Sequence, residues 1–115
     1  MHPLLQISMI DLNKLKEETG ANIVVIADKD GKIIDSINTE YSKNLALMGQ
    51  AAFSMCNNLL NDISSSSLDQ LIARSADNYF IVNKIKSDNL VLIASDNLSR
   101  FGLVLKYMNS INNKY

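Results

Sequence analysis

Residues that support disulfides, metal sites or sharp breaks in the backbone are scarce in this sequence. It contains one cysteine, one histidine, one proline, four glycines and no tryptophan. A single cysteine cannot form an internal disulfide, which argues against a secreted, disulfide-stabilised fold. One Cys and one His are too few for a closed Cys/His metal site, and no glycine-rich phosphate-binding loop is present, so we expect no metal and no cofactor.

An excess of one charge and a long apolar run are also missing. Eleven Lys and Arg residues nearly balance twelve Asp and Glu residues, giving a formal net charge of −1. Proteins that bind nucleic acid or an anionic membrane surface are usually basic, so neither partner is expected. No apolar stretch approaches the ~20 residues that span a bilayer, and residues 1–6 lack the basic and apolar regions of a signal peptide, which predicts a cytoplasmic protein.

The apolar content is sufficient for one hydrophobic core. The 115 residues are 47% apolar and 20% charged, the composition of a single globular domain. We expect one domain over residues 1–115, with flexible ends at residues 1–7 and 109–115. Hydrophobic periodicity predicts the element order α-β-β-α-β-β-β-α. The predicted elements are a helix over 8–19, strands over 21–28 and 33–38, a helix over 41–62, strands over 68–75, 79–86 and 90–95, and a helix over 99–112.

Capping and turn residues support these boundaries. Ser8 is the expected N-cap of the first helix, and Gly20 stands where a helix end favours a left-handed residue. The Asp-Gly pair within residues 29–32 predicts a tight hairpin turn. On the return strand, the alternation of side chains is expected to put Ile33 and Ile37 on one face of the sheet.

Two of the predicted strands are apolar at every position, over residues 23–27 and 90–94. A strand of this kind needs cover on both faces, and the predicted helices can supply it. Short turns make neighbouring strands antiparallel. The expected fold class is therefore α/β, a three-layer α/β/α sandwich around a five-stranded, mostly antiparallel sheet.

Two motifs that could carry chemistry have simpler structural interpretations. Residues 28–31, Asp-Lys-Asp-Gly, begin like a calcium loop, but Lys32 and Thr39 stand where that loop requires oxygen ligands. Cys56 lies on the apolar face of the longest helix, and no base is expected near it that would activate a thiol. A hairpin turn and a small core residue are the preferred interpretations.

Other candidate residues are the two arginines of the chain and two methionines in the helix predicted over residues 41–62. Arg74 and Arg100 could act as arginine fingers on a GTPase, although an edge-strand position and a helix-start position explain them more simply. Met48 and Met55 could line a ligand pocket, but at helical spacing they are more often core residues. Without a recognisable acid/base pair, we do not expect an enzyme.

The helix predicted over residues 41–62 has more apolar surface than docking on a sheet requires. At 100° per residue its apolar arc reaches roughly 200°, against the ~100° that packing one face needs. No charged residue lies between Lys43 and Asp62. The central stripe of this arc consists of Tyr41, Leu45, Met48, Ala52, Met55, Cys56, Leu59 and Ile63, with Gly49, Phe53 and Leu60 on one flank and Ala51 on the other.

This surplus apolar surface predicts a two-fold symmetric dimer, since a second copy is the simplest cover for it. The strand over 68–75 is an expected edge strand that could pair across the same axis and extend one sheet through both subunits. The predicted interface residues are Gly49, Phe53, Cys56 and Leu60 on the helix and Leu68, Gln70, Leu71 and Ile72 on the strand. The residues predicted to contact a different partner protein are Leu47, Gln50, Ser54 and Asn57.

Three segments of the chain stand in a distinctive order: residues 20–32 (GANIVVIADKDGK), residues 45–52 (LALMGQAA) and residues 101–105 (FGLVL). They resemble, in turn, the first hairpin, the small-residue helix and the start of the final helix of the Roadblock family, the domain of the roadblock-type dynein light chain. The resemblance covers residues 12–107, and its strength lies in the order and spacing of all three segments.

The resemblance implies a homodimer or heterodimer with a continuous sheet and with the long helices paired at the two-fold axis. Many family members serve small Ras-like GTPases as scaffolds, exchange-factor subunits or activators, and others link cargo to dynein. The expected function is therefore that of a non-enzymatic, dimeric adaptor that binds and regulates a small GTPase. A small-ligand sensor module and a dynein-type cargo scaffold are the alternatives, and the polar tail over 109–115 leaves the partner open.

Overall fold

The structure, a computed structural model, describes residues 10–37 and 40–112. Its elements follow the predicted order. The helices are α1 (Leu12–Thr19), α2 (Ser42–Ser64) and α3 (Phe101–Ile111), with one turn of 3₁₀ helix (Leu98–Arg100) leading into α3. The strands are β1 (Ile23–Ala27), β2 (Ile33–Ile37), β3 (Gln70–Arg74), β4 (Tyr79–Lys84) and β5 (Leu90–Ser95). Within the described ranges, no helix is both long enough and apolar enough to cross a bilayer.

The five strands form one sheet in the order β2-β1-β5-β4-β3, and all of its pairings are antiparallel. The two strands that are apolar throughout, β1 and β5, lie at the centre of the sheet, where both faces are covered. The predicted three-layer α/β/α sandwich is confirmed.

Alternate side chains of the central strands separate two hydrophobic cores. Val24 and Ile26 belong to the core under α1 and α3, which also contains Leu15 and Met108. The alternate positions of β1, 25 and 27, belong to the core under α2, which also contains Phe53. Helix α2 is therefore the whole of one outer layer, and its far side is not covered by any other described part of the chain.

The start of α1 differs from the prediction. Asp11 is its N-cap, because the Asp11 carboxylate accepts hydrogen bonds from the backbone N–H groups of Asn13 at 3.0 Å and Lys14 at 3.2 Å. The predicted cap, Ser8, lies outside the described residues. Gly20 ends the helix with φ +69°, the left-handed conformation that the sequence predicted.

Helix α3 continues through residues 109–111, which the sequence placed in a flexible end. Ile111 is 1% exposed and belongs to the core under α1 and α3. Asn109 Oδ1 also accepts a hydrogen bond from Gln70 Nε2 of β3 at 2.9 Å. These contacts make residues 109–111 part of the packed domain, whereas residues 1–7 and 113–115 lie outside the described residues.

Strand β2 carries a bulge, so the prediction that Ile33 and Ile37 share a face is wrong. Ile33 pairs with Ala27 of β1, whereas Asp35 pairs with Ile26, the residue just before Ala27. The extra residue, Ile34, reverses the alternation of side chains and is left 47% exposed. Ile33 consequently packs on the α2 side of the sheet and Ile37 on the opposite side.

The predicted turn between β1 and β2 is confirmed, and it is held by Asp28. The Asp28 Oδ1 atom accepts hydrogen bonds from the backbone N–H groups of Asp30 and Lys32, both at 2.9 Å. Gly31 has φ +84°, and a Cβ atom there would lie 3.1 Å from Leu47 Cδ2. Glycine thus allows both the left-handed backbone and the close approach of this turn to α2.

Candidate protein-binding surfaces

One side of α2 docks on the sheet, and its buried residues are Ala46, Gly49 and Phe53. A Cβ atom on Gly49 would lie 2.9 Å from Leu92 Cδ1, so the glycine allows the helix to approach the sheet closely. The helix contacts β1, β2, β5 and β3. It therefore crosses the sheet from the β2 edge to the β3 edge.

A second side of α2 is apolar and exposed. Met48, Met55, Leu59 and Ile63 are 59, 72, 60 and 72% exposed, and together with half-buried Ala52 they form what we call the α2 stripe. These residues follow one another at intervals of three or four, the spacing of a coiled-coil seam. Scattered exposed apolar residues are normal, whereas a contiguous apolar strip marks an interaction surface.

The β3 edge of the sheet is open beside this helix. All five residues of β3 pair with β4 without a bulge, and the other edge of β3 has no partner strand in the described chain. The opposite edge is the bulged strand β2, and a bulge is a common obstacle to edge pairing. Asn57 Oδ1 of α2 accepts a hydrogen bond from Leu68 N at 2.7 Å, which ties the segment entering β3 to the helix.

The predicted interface residues on α2 lie in two different environments. Gly49 and Phe53 face the subunit's own sheet, so a second copy could contact them only if α2 left the sheet. Cys56 and Leu60 are half-buried, on the side of the helix next to the α2 stripe. The list of predicted interface residues did not include Met48, Met55, Leu59 and Ile63, which are each more than half exposed, although the sequence placed them on the central stripe of the apolar arc.

The predicted interface residues on β3 and just before it also lie in different environments. Leu68 and Leu71 pack at the margin of the core under α2. Ile72 is 39% exposed. Gln70 instead points to the α3 side, where its Nε2 atom donates to Asn83 Oδ1 at 3.0 Å and to Asn109 Oδ1 at 2.9 Å. Gln70 therefore has an internal structural role.

The residues predicted to contact a partner protein lie on a third, mostly polar side of α2. Gln50, Ser54 and Asn57 line a hollow of about 310 Å³ together with Lys29 and Lys84. The lysines come from the turn after β1 and from the end of β4, which are far apart in the sequence. The hydrophobic periodicity of the sequence did not indicate that these two lysines would lie beside α2.

The remaining predicted contact residue, Leu47, lines a neighbouring hollow of about 350 Å³ with Gly31, Lys32, Ile33 and Lys43. Leu47 is 54% exposed. The contact of Gly31 with α2 separates this hollow from the first one. The four predicted residues thus share one side of the helix, and that side is distinct from the α2 stripe.

The void that the described residues enclose between α2 and the sheet is too small for a small-molecule ligand. The void enclosed between α2 and the sheet is about 10 Å³, about the least space that can hold one water molecule. Met48 and Met55, the candidate lining residues of a ligand pocket, lie on the exposed α2 stripe instead. The sensor alternative gains no support from this geometry.

Both arginines have structural contacts. The Arg74 guanidinium lies 4.8 Å from the centre of the Phe101 ring. Arg100 Nη2 donates to the backbone carbonyl of Glu18, at the end of α1, at 3.3 Å. Each arginine therefore takes part in packing on the side of α1 and α3. Among the residues that the structure describes, no three His, Cys, Asp or Glu side chains gather as a metal site.

Comparison with known proteins agrees with this architecture. The sequence pattern that defines the Roadblock/LC7 domain matches residues 9–95. The structure is similar to MglB from Myxococcus xanthus (TM-score 0.71, 18% identity, 84% of each chain covered). It is also similar to the gliding protein MglB from Thermus thermophilus (TM-score 0.72, 14% identity, covering 88% of this chain and 82% of that one).

A Roadblock/LC7 domain from Streptomyces avermitilis has the same fold (TM-score 0.71, 11% identity, covering 92% of this chain and 100% of that one). Among curated proteins, none matches the chain significantly in sequence. At these identities the structural similarity establishes the fold, and the match to the domain pattern establishes the family.

Proposed function

The chain belongs to the Roadblock/LC7 family, and from this premise we propose that it is a non-enzymatic, dimeric adaptor that binds and regulates a small Ras-like GTPase in the cytoplasm. The observation that carries the proposal is the exposed α2 stripe beside the open β3 edge. The stripe supports pairing of two copies, and the GTPase partner is what the family resemblance implies.

The α2 stripe has enough apolar surface to drive association. Fully burying a Met, Leu or Ile side chain contributes ~1.5–3 kcal/mol. Because Met48, Met55, Leu59 and Ile63 are each more than half exposed, most of that contribution is still available to a second copy. Four such residues from each copy can offset the ~4–15 kcal/mol cost of association, and no charge between Lys43 and Asp62 opposes it.

A two-fold axis beside β3 would use the stripe and the strand edge together. Two β3 strands can pair antiparallel across such an axis, which satisfies their free backbone groups and makes one continuous sheet from both subunits. Each α2 already crosses its own sheet toward the β3 edge, so the two helices would meet at the axis. Leu71 and Ile72 would lie close to it, on opposite faces of the combined sheet.

Pairing of this kind leaves the third side of α2 free for a different protein. Leu47, Gln50, Ser54 and Asn57 lie on that side and line the two hollows. One copy can therefore contact its twin through the α2 stripe and the GTPase through the polar side of the same helix. An adaptor needs two surfaces that can be occupied simultaneously.

The dimer is tested by the mass of the purified chain in solution over a dilution series. We expect about twice the 12.8 kDa subunit mass at high micromolar concentration and dissociation on dilution. Another MglB structure has a tetrameric arrangement, so larger assemblies would also be compatible with self-association. A chain that stays a single subunit at high micromolar concentration would refute the dimer.

The partner is tested by co-purification with the small GTPase encoded nearest to this chain in its genome, loaded with GDP or with GTP. Binding that differs between the two nucleotide states supports regulation. Equal binding in both states supports a passive scaffold. Dimerisation without binding in either state would favour the cargo-scaffold alternative over GTPase regulation.

A further inference from the structure

Four lysines surround the polar side of α2, and we call them the lysine face: Lys29, Lys32, Lys43 and Lys84. They line the two hollows on either side of the contact between Gly31 and the helix. The linings include a single acidic residue, Asp88. Asp28 and Asp30 belong to the same turn as Lys29 and Lys32, and Asp28 Oδ1 accepts hydrogen bonds from backbone N–H groups of that turn. The positive excess is therefore confined to the linings of the two hollows, where four lysines stand against one aspartate.

The charge of the lysine face is mostly not neutralised within the subunit. Lys84 Nζ lies 3.7 Å from Asp88 Oδ1, but these side chains are 42 and 68% exposed, and an exposed pair of this kind is weak. In the described part of the chain, Lys29, Lys32 and Lys43 form no ion pair. Their ammonium groups are therefore available to an anionic group on another molecule.

The first hollow also presents neutral hydrogen-bond donors beside the lysines. Asn57 uses Oδ1 to accept from Leu68 N, which leaves its NH₂ group to donate. The side chains of Gln50 and Ser54 have no hydrogen-bond partner among the residues that the structure describes. A carboxylate accepts several hydrogen bonds, and charge-assisted bonds from ammonium groups are the stronger ones.

The second hollow adds an apolar contact next to its lysines. Leu47 is 54% exposed and Ile33 is half-buried there. A free phosphate or a nucleic-acid backbone makes no apolar contact with Leu47 or Ile33. An acidic protein segment that also carries an apolar side chain matches both hollows.

We propose that the lysine face is the docking site for an acidic segment of the partner protein, with carboxylates in the hollow of Lys29 and Lys84 and an apolar side chain against Leu47. The inference rests on the proposed function, because it names the chemistry by which the GTPase would be recognised. It is independent of the α2 stripe, so dimerisation and docking can be measured separately.

The recognition chemistry is tested on the full chain with two synthetic peptides, one made of glutamates and two leucines and the other with glutamine in place of every glutamate. Backbone amide shifts of the labelled protein are followed during titration. We expect saturable shifts at Lys29, Gln50 and Ser54 with the glutamate peptide and weak or absent shifts with the glutamine peptide. Equal shifts with both peptides, or no shifts at these residues, would overturn the proposal.

Charge reversal locates the site. Lys29→Glu combined with Lys84→Glu is expected to weaken binding of the glutamate peptide about tenfold or more at low salt. The matched control combines Lys14→Glu with Lys106→Glu, which changes the net charge equally on the opposite layer and is expected to have a much smaller effect. The difference should shrink in ~1 M salt, where the Debye length is ~3 Å. Equal loss in both double variants would reduce the effect to net charge and overturn the site.

The same variants separate this inference from the proposed function. If the wild-type chain binds the GTPase and the Lys29/Lys84 double variant binds it about tenfold or more weakly, the adaptor function and the lysine face as its docking site are both supported. If the double variant binds the GTPase as well as the wild type, the adaptor function stands and the lysine face is refuted as its docking site. Inorganic phosphate is a third probe, and shifts at the same residues that saturate more readily than those of the peptide would identify a phosphate site instead.

Discussion

Replacing Met55 with glutamate is expected to separate the two copies of the proposed dimer without unfolding the subunit. Met55 is 72% exposed at the centre of the α2 stripe. Glutamate is close to methionine in length and in helix propensity. Because the new carboxylate stays in water in the isolated subunit, its free energy of unfolding should change by no more than ~0.5 kcal/mol.

The magnitude of the effect on pairing follows from the exposed fraction of Met55. Of the ~1.5–3 kcal/mol that full burial of a Met contributes, about two thirds, or ~1–2 kcal/mol, would come from the second copy. A two-fold interface contains the substitution twice, so the loss is ~2–4 kcal/mol before any repulsion between the two carboxylates. Since 1.4 kcal/mol is a factor of ten, we expect the dimer dissociation constant to rise by roughly two orders of magnitude.

Sedimentation velocity across a dilution series measures this constant. The matched control is Asn58→Glu, which places the same charge on an exposed position of α2 outside the α2 stripe. Met55→Glu should sediment as a folded subunit at concentrations where the wild type and Asn58→Glu are dimers. The reasoning is refuted if Met55→Glu dimerises like the wild type, or if Asn58→Glu dissociates to the same extent.

Other substitutions test the fold itself by urea unfolding. Gly31→Ala should lower the free energy of unfolding by ~1–2 kcal/mol, because φ is +84° and the new methyl would meet Leu47. Gly102→Ala in the open surface of α3 should raise the free energy of unfolding by up to ~1 kcal/mol. Equal effects of the two substitutions would contradict this reasoning. Asn83→Ala should cost ~2 kcal/mol, since the buried Asn83 Nδ2 donates to the Met108 carbonyl at 2.6 Å; a neutral result would show that water replaces it. Tyr79→Phe should be neutral or stabilise by ~1 kcal/mol, because the buried hydroxyl has no hydrogen-bond partner among the described residues, and a clear loss of stability would contradict that.

Local features of the fold were predictable from the sequence. Unbroken apolar runs identified β1 and β5 as strands covered on both faces, and Gly20 and Gly31 marked a helix end and a turn that need positive φ. Each of these signals depends on a few neighbouring residues. The bulge at Ile34 was missed because the register of β2 is set by its pairing with β1, and the sequence of β2 alone does not contain it.

The candidate site was predictable only in part, for a related reason. The wide, uncharged apolar arc of α2 was visible as a surplus. Gln50, Ser54 and Asn57, which the sequence predicts to contact a partner protein, line one hollow in the structure, and their role as contact residues stays a prediction. However, Gly49 and Phe53 were expected at an interface between copies and instead pack against the subunit's own sheet.

The sequence by itself determined the element order, the two-faced central strands and the excess of apolar surface on the middle helix, because periodicity and turn chemistry are properties of short segments. Only the tertiary structure decided which part of that surface is buried. The helix docks where Gly49 permits close contact with Leu92, and this choice leaves the larger Met, Leu and Ile side chains exposed. The lysine face likewise exists only after folding, because strand pairing and the docking of α2 bring together residues from a turn, a helix start and a distant strand end.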